Sequence, residues 1–367
     1  MKTQLASIEL YALVSELQVL LNGKIDKIYQ PNKNELVLQF HIPSTGKKIL
    51  RIVVGKFMYL ADFKAAADKP SGFCVQLRKN LKGARLRILE QKDFERVVEF
   101  VFEQSKGEFI SLIIELFGKG NILLVKNHKI LMTLVPKIWK DRTLKVGEEY
   151  VYPKRDYNLL KFKLDDLKRM LKESDKESLV KSLAMDLGLG GVYAEDICAD
   201  AGVNKNKIPG DFDDFEKLFK AIERLKKQKP KGFVYKNDIV PYELLQYKSL
   251  EHKEFLTYNE ALNEVLSTEL RKNIADKQIA GYTKEAERIN RIIKNQKSTI
   301  LSLAKKAVEA ADKAELLYAN YQTVKEIIDE INKALKKLEW DDVKKRLKDH
   351  NMVKELNPKD KTVVIEL

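Results

Sequence analysis

The sequence predicts an α+β protein in which a sheet-rich N-terminal domain leads through short helices into one long coiled-coil helix. Two patterns carry that prediction. Apolar runs of strand length, separated by turn residues, fill the chain from Lys24 to Leu134. Further on, apolar residues recur on a 4,3,4,3 count from Ile293 through Ile300, Leu303, Leu317, Val324, Ile331 and Leu335 to Leu338, the 3.5-residue period of a coiled coil. Between Pro241 and Pro358 there is no proline and one glycine, Gly281, so no strong breaker interrupts that helix.

Taken in order, Leu5 to Leu21 is apolar at helical spacing, and Asn22-Gly23 supplies a left-handed cap. Strand-like runs follow at Lys24–Gln30, Glu35–His41, Lys48–Val54 and Lys56–Asp62, divided by Pro31-Asn32, by Pro43 to Gly46 and by Gly55. A helix over Gly72–Leu81 takes Ser71 as its N-cap. Further strands are expected at Arg85–Gln91, Arg96–Glu103, Phe109–Phe117, Ile122–Lys126 and Lys129–Leu134. Many of these are apolar throughout, as strands buried in a sandwich or barrel-like sheet are. The first domain so read covers 1–156. Short helices with glycine turns, centred on LGLGGVYAEDI (Leu187–Ile197), make a second region, 157–255. The coiled-coil helix then takes 256–338, and 339–367 begins another unit with a helix at Asp341–Leu347 and a strand at Thr362–Leu367. A stripe of two apolar positions per heptad needs a partner helix. Either the chain forms a homodimer through it, or a returning helix lies beyond Leu367.

The 367 residues carry a net charge of +14. Residues 1–156 hold 27 Lys+Arg against 17 Asp+Glu, an excess of +10, whereas 157–259 hold 19 against 18. The first domain is therefore the expected polyanion-binding surface. Cys74 and Cys198 stand far apart, and four scattered histidines show no ligand spacing, so neither a metal nor a cofactor is expected. The N-terminus lacks the apolar core of a signal peptide and no run reaches membrane-span length, which leads us to expect a cytoplasmic protein without a membrane partner.

Four segments of the first domain share a family pattern. They are PSGFCVQLRKNLKGARL (Pro70–Leu86), DFERVVEF (Asp93–Phe100), IIELFGKGNILL (Ile113–Leu124), and the closing Gly147, Tyr150 and Pro153. Together they resemble the NFACT family of ribosome quality control proteins, in its archaeal type, and the resemblance extends over the whole chain. It implies an NFACT-N domain, similar in fold to the N-terminal domain of formamidopyrimidine-DNA glycosylases, then a helix-hairpin-helix domain and a coiled coil. It also implies that the second coiled-coil helix and the NFACT-R domain lie outside this sequence. The implied partners are tRNA and the large ribosomal subunit obstructed by peptidyl-tRNA, and the implied role is C-terminal tailing of the stalled chain. Two positions depart from the family, which usually has Asp where this chain has Glu9 and Glu95; Arg96 is retained.

The residues expected to meet tRNA are Glu9, Arg78, Lys79, Lys82, Arg85, Glu95 and Arg96. A cluster such as Arg78 to Arg87 neutralises phosphates and makes binding salt-dependent. Arginine forks onto a phosphate or a guanine edge, which lysine does not. Glu9 and Glu95 are acceptors for Arg96 or for base N–H groups. Gly188, Gly190 and Gly191 form a loop at a helix N-terminus that suits a phosphate, although glycine-rich helix turns also arise for steric reasons. ELFGKGN suits a tight β-turn, because a lone Gly-x-Gly without a following helix is no dinucleotide fingerprint. Two rival readings remain: a nucleic-acid-processing enzyme on the glycosylase-like fold, although Met1-Lys2-Thr3 lacks that fold's terminal proline amine, or a coiled-coil scaffold.

Overall fold

A computed structural model of the chain describes residues 2–63, 70–105, 107–139, 142–236, 238–347 and 350–367, with backbone alone at residue 277. Met1 therefore lies outside the described residues. The chain divides into two compact units, Met1–Asn273 and Ile274–Leu367.

The first unit opens with α1 (Ser7–Glu16) and a 3₁₀ turn, Leu17–Leu20. Four strands follow, β1 (Lys24–Asn32), β2 (Glu35–Ile42), β3 (Gly46–Val53) and β4 (Phe57–Leu60). Helix α2 (Gly72–Leu81), N-capped as expected by Ser71, leads to β5 (Arg85–Gln91), β6 (Val97–Glu103), β7 (Phe109–Glu115), β8 (Asn121–Lys126) and β9 (Lys129–Thr133). The sheet is antiparallel in the order β4-β3-β2-β1-β5-β6-β7-β8-β9. Its halves meet at one pairing, Lys24 with Arg85, and the rest of each half packs face to face with the other. Phe40 of β2 and Phe102 of β6, far apart in strand order, stack at 6.3 Å between ring centroids. The other face of β6 to β8 is buried as well, Val97, Ile113 and Leu123 packing with Leu144 and Tyr150, which is why those strands read as nearly continuous apolar runs.

A small hairpin, β10 (Lys137–Ile138) and β11 (Thr143–Leu144), ends the sheet lobe. The helical lobe contains α3 (Leu164–Glu173), α4 (Leu179–Met185), α5 (Gly191–Ala201) and α6 (Phe215–Lys227). A short sheet of β12 (Gly232–Val234), β13 (Ile239–Val240) and β14 (Lys253–Phe255) follows in the order β13-β12-β14.

The two lobes share α1. Leu5, Leu10, Leu13 and Leu17 pack into the sheet core, while Ile8 and Ala12 pack into the helical core beside Leu187, Leu189 and Tyr193. A helix that buries two faces has no solvent side through its first turn, and Ser7 to Leu10 are all buried. Burial on both sides forces its one central charge, Glu9, to find partners.

The long helix begins as α7 (Tyr258–Ala319). In the first unit its opening turns insert Tyr258, Ala261 and Leu262 into the sheet core. The expected uninterrupted helix to residue 338 is corrected by a turn at Asn320, after which α8 (Tyr321–Leu335) continues. Asn320 has φ −108° and ψ 23°, and its side-chain amide donates to the Leu316 carbonyl at 3.0 Å. Side-chain competition for an i−4 carbonyl is a recognised way to bend a helix. In the second unit, α9 (Trp340–Arg346) and the hairpin of β15 (Val353–Asn357) and β16 (Thr362–Ile365) cover the end of the heptad stripe. Ile327 and Ile331 are buried there with Val343, Val353 and Leu356, whereas Ile293, Ile300, Leu303 and Leu317 are exposed. The late part of the stripe thus serves a local core.

Candidate functional site

The turn between β5 and β6 carries the most unusual backbone. Asp93 and Phe94 have φ of +46° and +58°, two consecutive non-glycine residues in the left-handed region. Such strain persists only where surroundings enforce it. Phe94 supplies the enforcement, because its ring is 1% exposed and belongs to the helical core. Gln91 fixes the turn further, its Nε2 donating to the carbonyls of Glu95 (2.8 Å) and Ser7 (2.9 Å). The strand begins at Val97, one residue later than expected, so Arg96 stands at the mouth of the turn.

Arg96 lines a cleft of about 570 Å³ between the two lobes. Its other walls include Glu9 and Ala6 of the first segment, the glycine loop at Gly188, Gly190 and Gly191, and Lys2, Arg155, Tyr193 and Asp238. Of the expected site residues, the cleft thus gathers Glu9, Arg96 and the three glycines, and Glu95 stands directly behind it.

Glu9 is 1% exposed. Its Oε2 accepts from the Ala6 N–H at 2.8 Å, and its Oε1 accepts from Lys2 Nζ at 2.5 Å and Tyr193 Oη at 2.7 Å. Lys2 also donates to Asp238 Oδ1 at 2.9 Å. Asp238 has both oxygens engaged, also taking the Ile239 N–H at 2.8 Å and Tyr247 Oη at 3.2 Å. Burial opposes charge on the Lys2 ammonium, but Glu9 and Asp238 outweigh it, and its pKa is raised. Burial, with the Glu9 charge, pushes the Tyr193 phenol well above its ordinary range. Both carboxylates facing the cleft therefore spend their oxygens internally.

The arginines are less well supplied. Glu95 pairs with Arg155, Oε1 to Nε at 2.6 Å, and not by a hydrogen bond with its neighbour Arg96. Arg155 Nη1 is buried and has no partner among the described residues. Gly188, at φ +70°, makes room for it: a Cβ there would lie 1.5 Å from Nη1. Among the described residues nothing hydrogen-bonds the Arg96 side chain. Burial, with the nearby Arg155 charge, lowers its pKa, and Glu95 and Glu9 oppose that change. Gly190 is the N-cap of α5 and, as glycine, offers no side chain to cap that helix end.

Arg78, Lys79, Lys82 and Arg85 do not line this cleft. Arg78 donates through Nε to the Ile28 carbonyl at 2.8 Å and lies over the Tyr29 ring. Arg85 reaches the Asn22 carbonyl at 3.1 Å. Lys79 and Lys82 are exposed. These four therefore lie outside the cleft, on α2, its C-cap Lys82 and the start of β5.

The ELFGKGN segment has its own structural work. Glu115, fully buried, binds Arg142 and accepts from Tyr150 Oη at 3.0 Å. Gly120, at φ +67°, approaches Gly55 so closely that a Cβ would lie 2.2 Å from the Gly55 nitrogen. Of the aromatics in this lobe, Tyr59 is buried and Trp139 is 41% exposed beside Lys137 and Arg142.

Pattern reading missed Lys2, Arg155, Tyr193 and Asp238. Arg155 and Tyr193 carried a weak signal, Arg155 two residues after the closing Pro153 and Tyr193 within the LGLGGVYAEDI turn; Lys2 and Asp238 carried none, since each reaches the cleft only through long-range packing.

A family model described as "NFACT N-terminal and middle domains" matches residues 7–364. The chain belongs to the NFACT family. It is 32% identical over 370 residues to the archaeal Rqc2 homolog aRqcH of Methanocaldococcus jannaschii, covering 95% of this chain and 55% of that protein. It is 23% identical to the ribosome quality control complex subunit NEMF homolog of Drosophila melanogaster, over 97% of this chain and 42% of that one. The chain thus spans about half the length of these relatives. Among solved structures, the N-terminal part of the fibronectin/fibrinogen-binding protein of Streptococcus suis shares the fold, with TM-score 0.59 and 22% identity, covering 72% of this chain and 100% of that one. Among the described residues, no helix of this NFACT chain is long and apolar enough to cross a membrane.

Proposed function

We propose that this NFACT chain acts in ribosome-associated quality control, binding tRNA and the large ribosomal subunit obstructed by peptidyl-tRNA and so promoting C-terminal tailing of the stalled peptide. The observation that carries the reading is the cleft between the lobes, where the family's acidic and arginine positions, Glu9, Glu95 and Arg96, converge with the glycine loop 188–191. The relatives' names point to the same process. In this reading the helical lobe is the helix-hairpin-helix domain of the family, and Arg96 makes the direct RNA contact. Glu9 and Glu95 act through others, Glu9 by holding Lys2 and Tyr193 and Glu95 by holding Arg155. Arg78, Lys79, Lys82 and Arg85 add phosphate contacts outside the cleft.

The enzyme reading needs an unprotonated amine near the N-terminus. Lys2 has the right location, but its ion pairs hold it as an ammonium, which favours binding over amine chemistry.

The test is tRNA binding by fluorescence anisotropy, together with co-sedimentation on large subunits carrying peptidyl-tRNA. Arg96→Ala should weaken tRNA binding at least about tenfold while leaving the melting temperature within a few degrees. An affinity unchanged by Arg96→Ala across salt concentrations would remove the cleft from the proposal.

A further inference from the structure

The donors and acceptors around the cleft do not balance, and the imbalance identifies a ligand chemistry. Three cations, Lys2, Arg96 and Arg155, line it against two carboxylates, Glu9 and Asp238. Both carboxylates have each oxygen engaged. On the donor side, Arg96 has no hydrogen bond from its guanidinium among the described residues, and Arg155 Nη1 is buried without a partner. A buried guanidinium N–H without an acceptor is costly, so native structures rarely leave one. A nucleobase edge would bring its own N–H donors, and those would compete with the internal donors that already engage every carboxylate oxygen of the cleft. A phosphate brings acceptors alone and matches the fork of a guanidinium.

We propose that the cleft seats a single phosphate group, gripped by Arg155 together with Arg96, with Glu95 positioning Arg155 and Gly188 making room for its guanidinium. The inference rests on the RNA-binding reading and names the chemistry of that site: a backbone phosphate of the bound RNA, with Arg155 as a direct ligand. The position of Arg155 is over-determined. Glu95 holds Nε at 2.6 Å, which leaves the far edge of the guanidinium for a ligand, and the space at residue 188 exists only because that residue is glycine. The uncapped start of α5 lies on the same wall, and its N–H groups add to the grip without defining it.

The experiment measures tRNA affinity of the whole chain across a salt series for the unsubstituted protein, Arg155→Gln and Gly188→Ala, each checked for a cooperative melt. Losing one phosphate contact should flatten the log–log salt slope by about 0.7 to 0.9 and weaken binding roughly tenfold. Gly188→Ala should do the same by displacing the guanidinium, which guards against a folding defect peculiar to Arg155→Gln. Full affinity and unaltered slope in both folded variants would overturn the phosphate seat while leaving the RNA reading intact. Should the unsubstituted chain fail to bind tRNA at any salt concentration, the RNA reading falls. The seat is then decided separately, by titrating inorganic phosphate and following the Arg155 Nε–H resonance: a saturable shift lost in Gly188→Ala supports it, and no shift sinks it.

Discussion

At the residue scale, the densest electrostatic feature is Lys2 between Glu9 and Asp238, sealed by Tyr193. Folding raises the Lys2 pKa above its reference value of 10.5. The native state therefore holds that proton more tightly than the unfolded chain does. Its contribution to stability is complete below about pH 10.5 and is lost as pH climbs through the raised value. Tyr193 and Tyr258, their phenols pushed upward first by burial and then by Glu9, act in the same direction. Urea midpoints measured through the alkaline range should fall with pH, and Lys2→Met should show a shallower fall and a lower midpoint near neutrality. Removing one partner from a buried pair costs about 3–5 kcal/mol, and the second carboxylate makes the loss here larger rather than smaller. Glu9 itself shows how little a residue's type says about its role. As a charged residue in an apolar helix it was legible as special, yet whether it faced a ligand or the interior depended on Lys2 and Tyr193, residues 7 and 184 positions away.

At the element scale, the start of α7 is set by the end of α1. Glu16 accepts the Tyr258 and Asn259 N–H groups at 2.8 and 2.7 Å, capping a helix 242 residues downstream. Burial raises the Glu16 pKa while those two N–H groups pull it down, so the cap is bought against desolvation. Asn259 extends the clamp by accepting the Leu60 N–H at 2.6 Å. Glu16→Ala should cost about 1–2 kcal/mol, as loss of a good N-cap does. Hydrogen exchange at Tyr258 and Asn259 should speed up correspondingly, with the exposed stretch of α7 unaffected. The helix itself was plain from its periodicity, and Thr257 caps it locally, its Oγ1 accepting the Glu260 N–H at 3.1 Å; the second cap, from Glu16, was not legible, because no local pattern points to a residue 242 positions away.

At the scale of the whole first unit, the proposed RNA contact requires the two lobes to stay in register across α1 and Phe94. Phe94 belongs by sequence to the sheet lobe and by packing to the helical core. Its left-handed backbone is the strain that aims Arg96 at the cleft. Phe94→Ala should cost about 3–5 kcal/mol by the usual loss for a buried aromatic. It should also reduce tRNA affinity more than Arg96→Ala does, since it releases Glu95 and Arg96 together; a thermal melt and the anisotropy assay check the two halves of that expectation.

Short-range rules made the strands, α2 with its Ser71 cap, the glycine turns and the heptad stripe readable, because periodicity, capping and turn chemistry act over a few residues. The charge surplus of the N-terminal part was equally a property of the chain alone. Tertiary structure decided the rest. It split the basic residues of α2 and β5 from Arg96, gave Glu95 to Arg155, sent the last heptads into a local core, and assembled one cleft from residues 2, 9, 96, 155, 188, 190–193 and 238. The physical reason is the double burial of α1: two cores must close on one helix, and the polar groups trapped in that seam can be satisfied only by partners that no local pattern specifies.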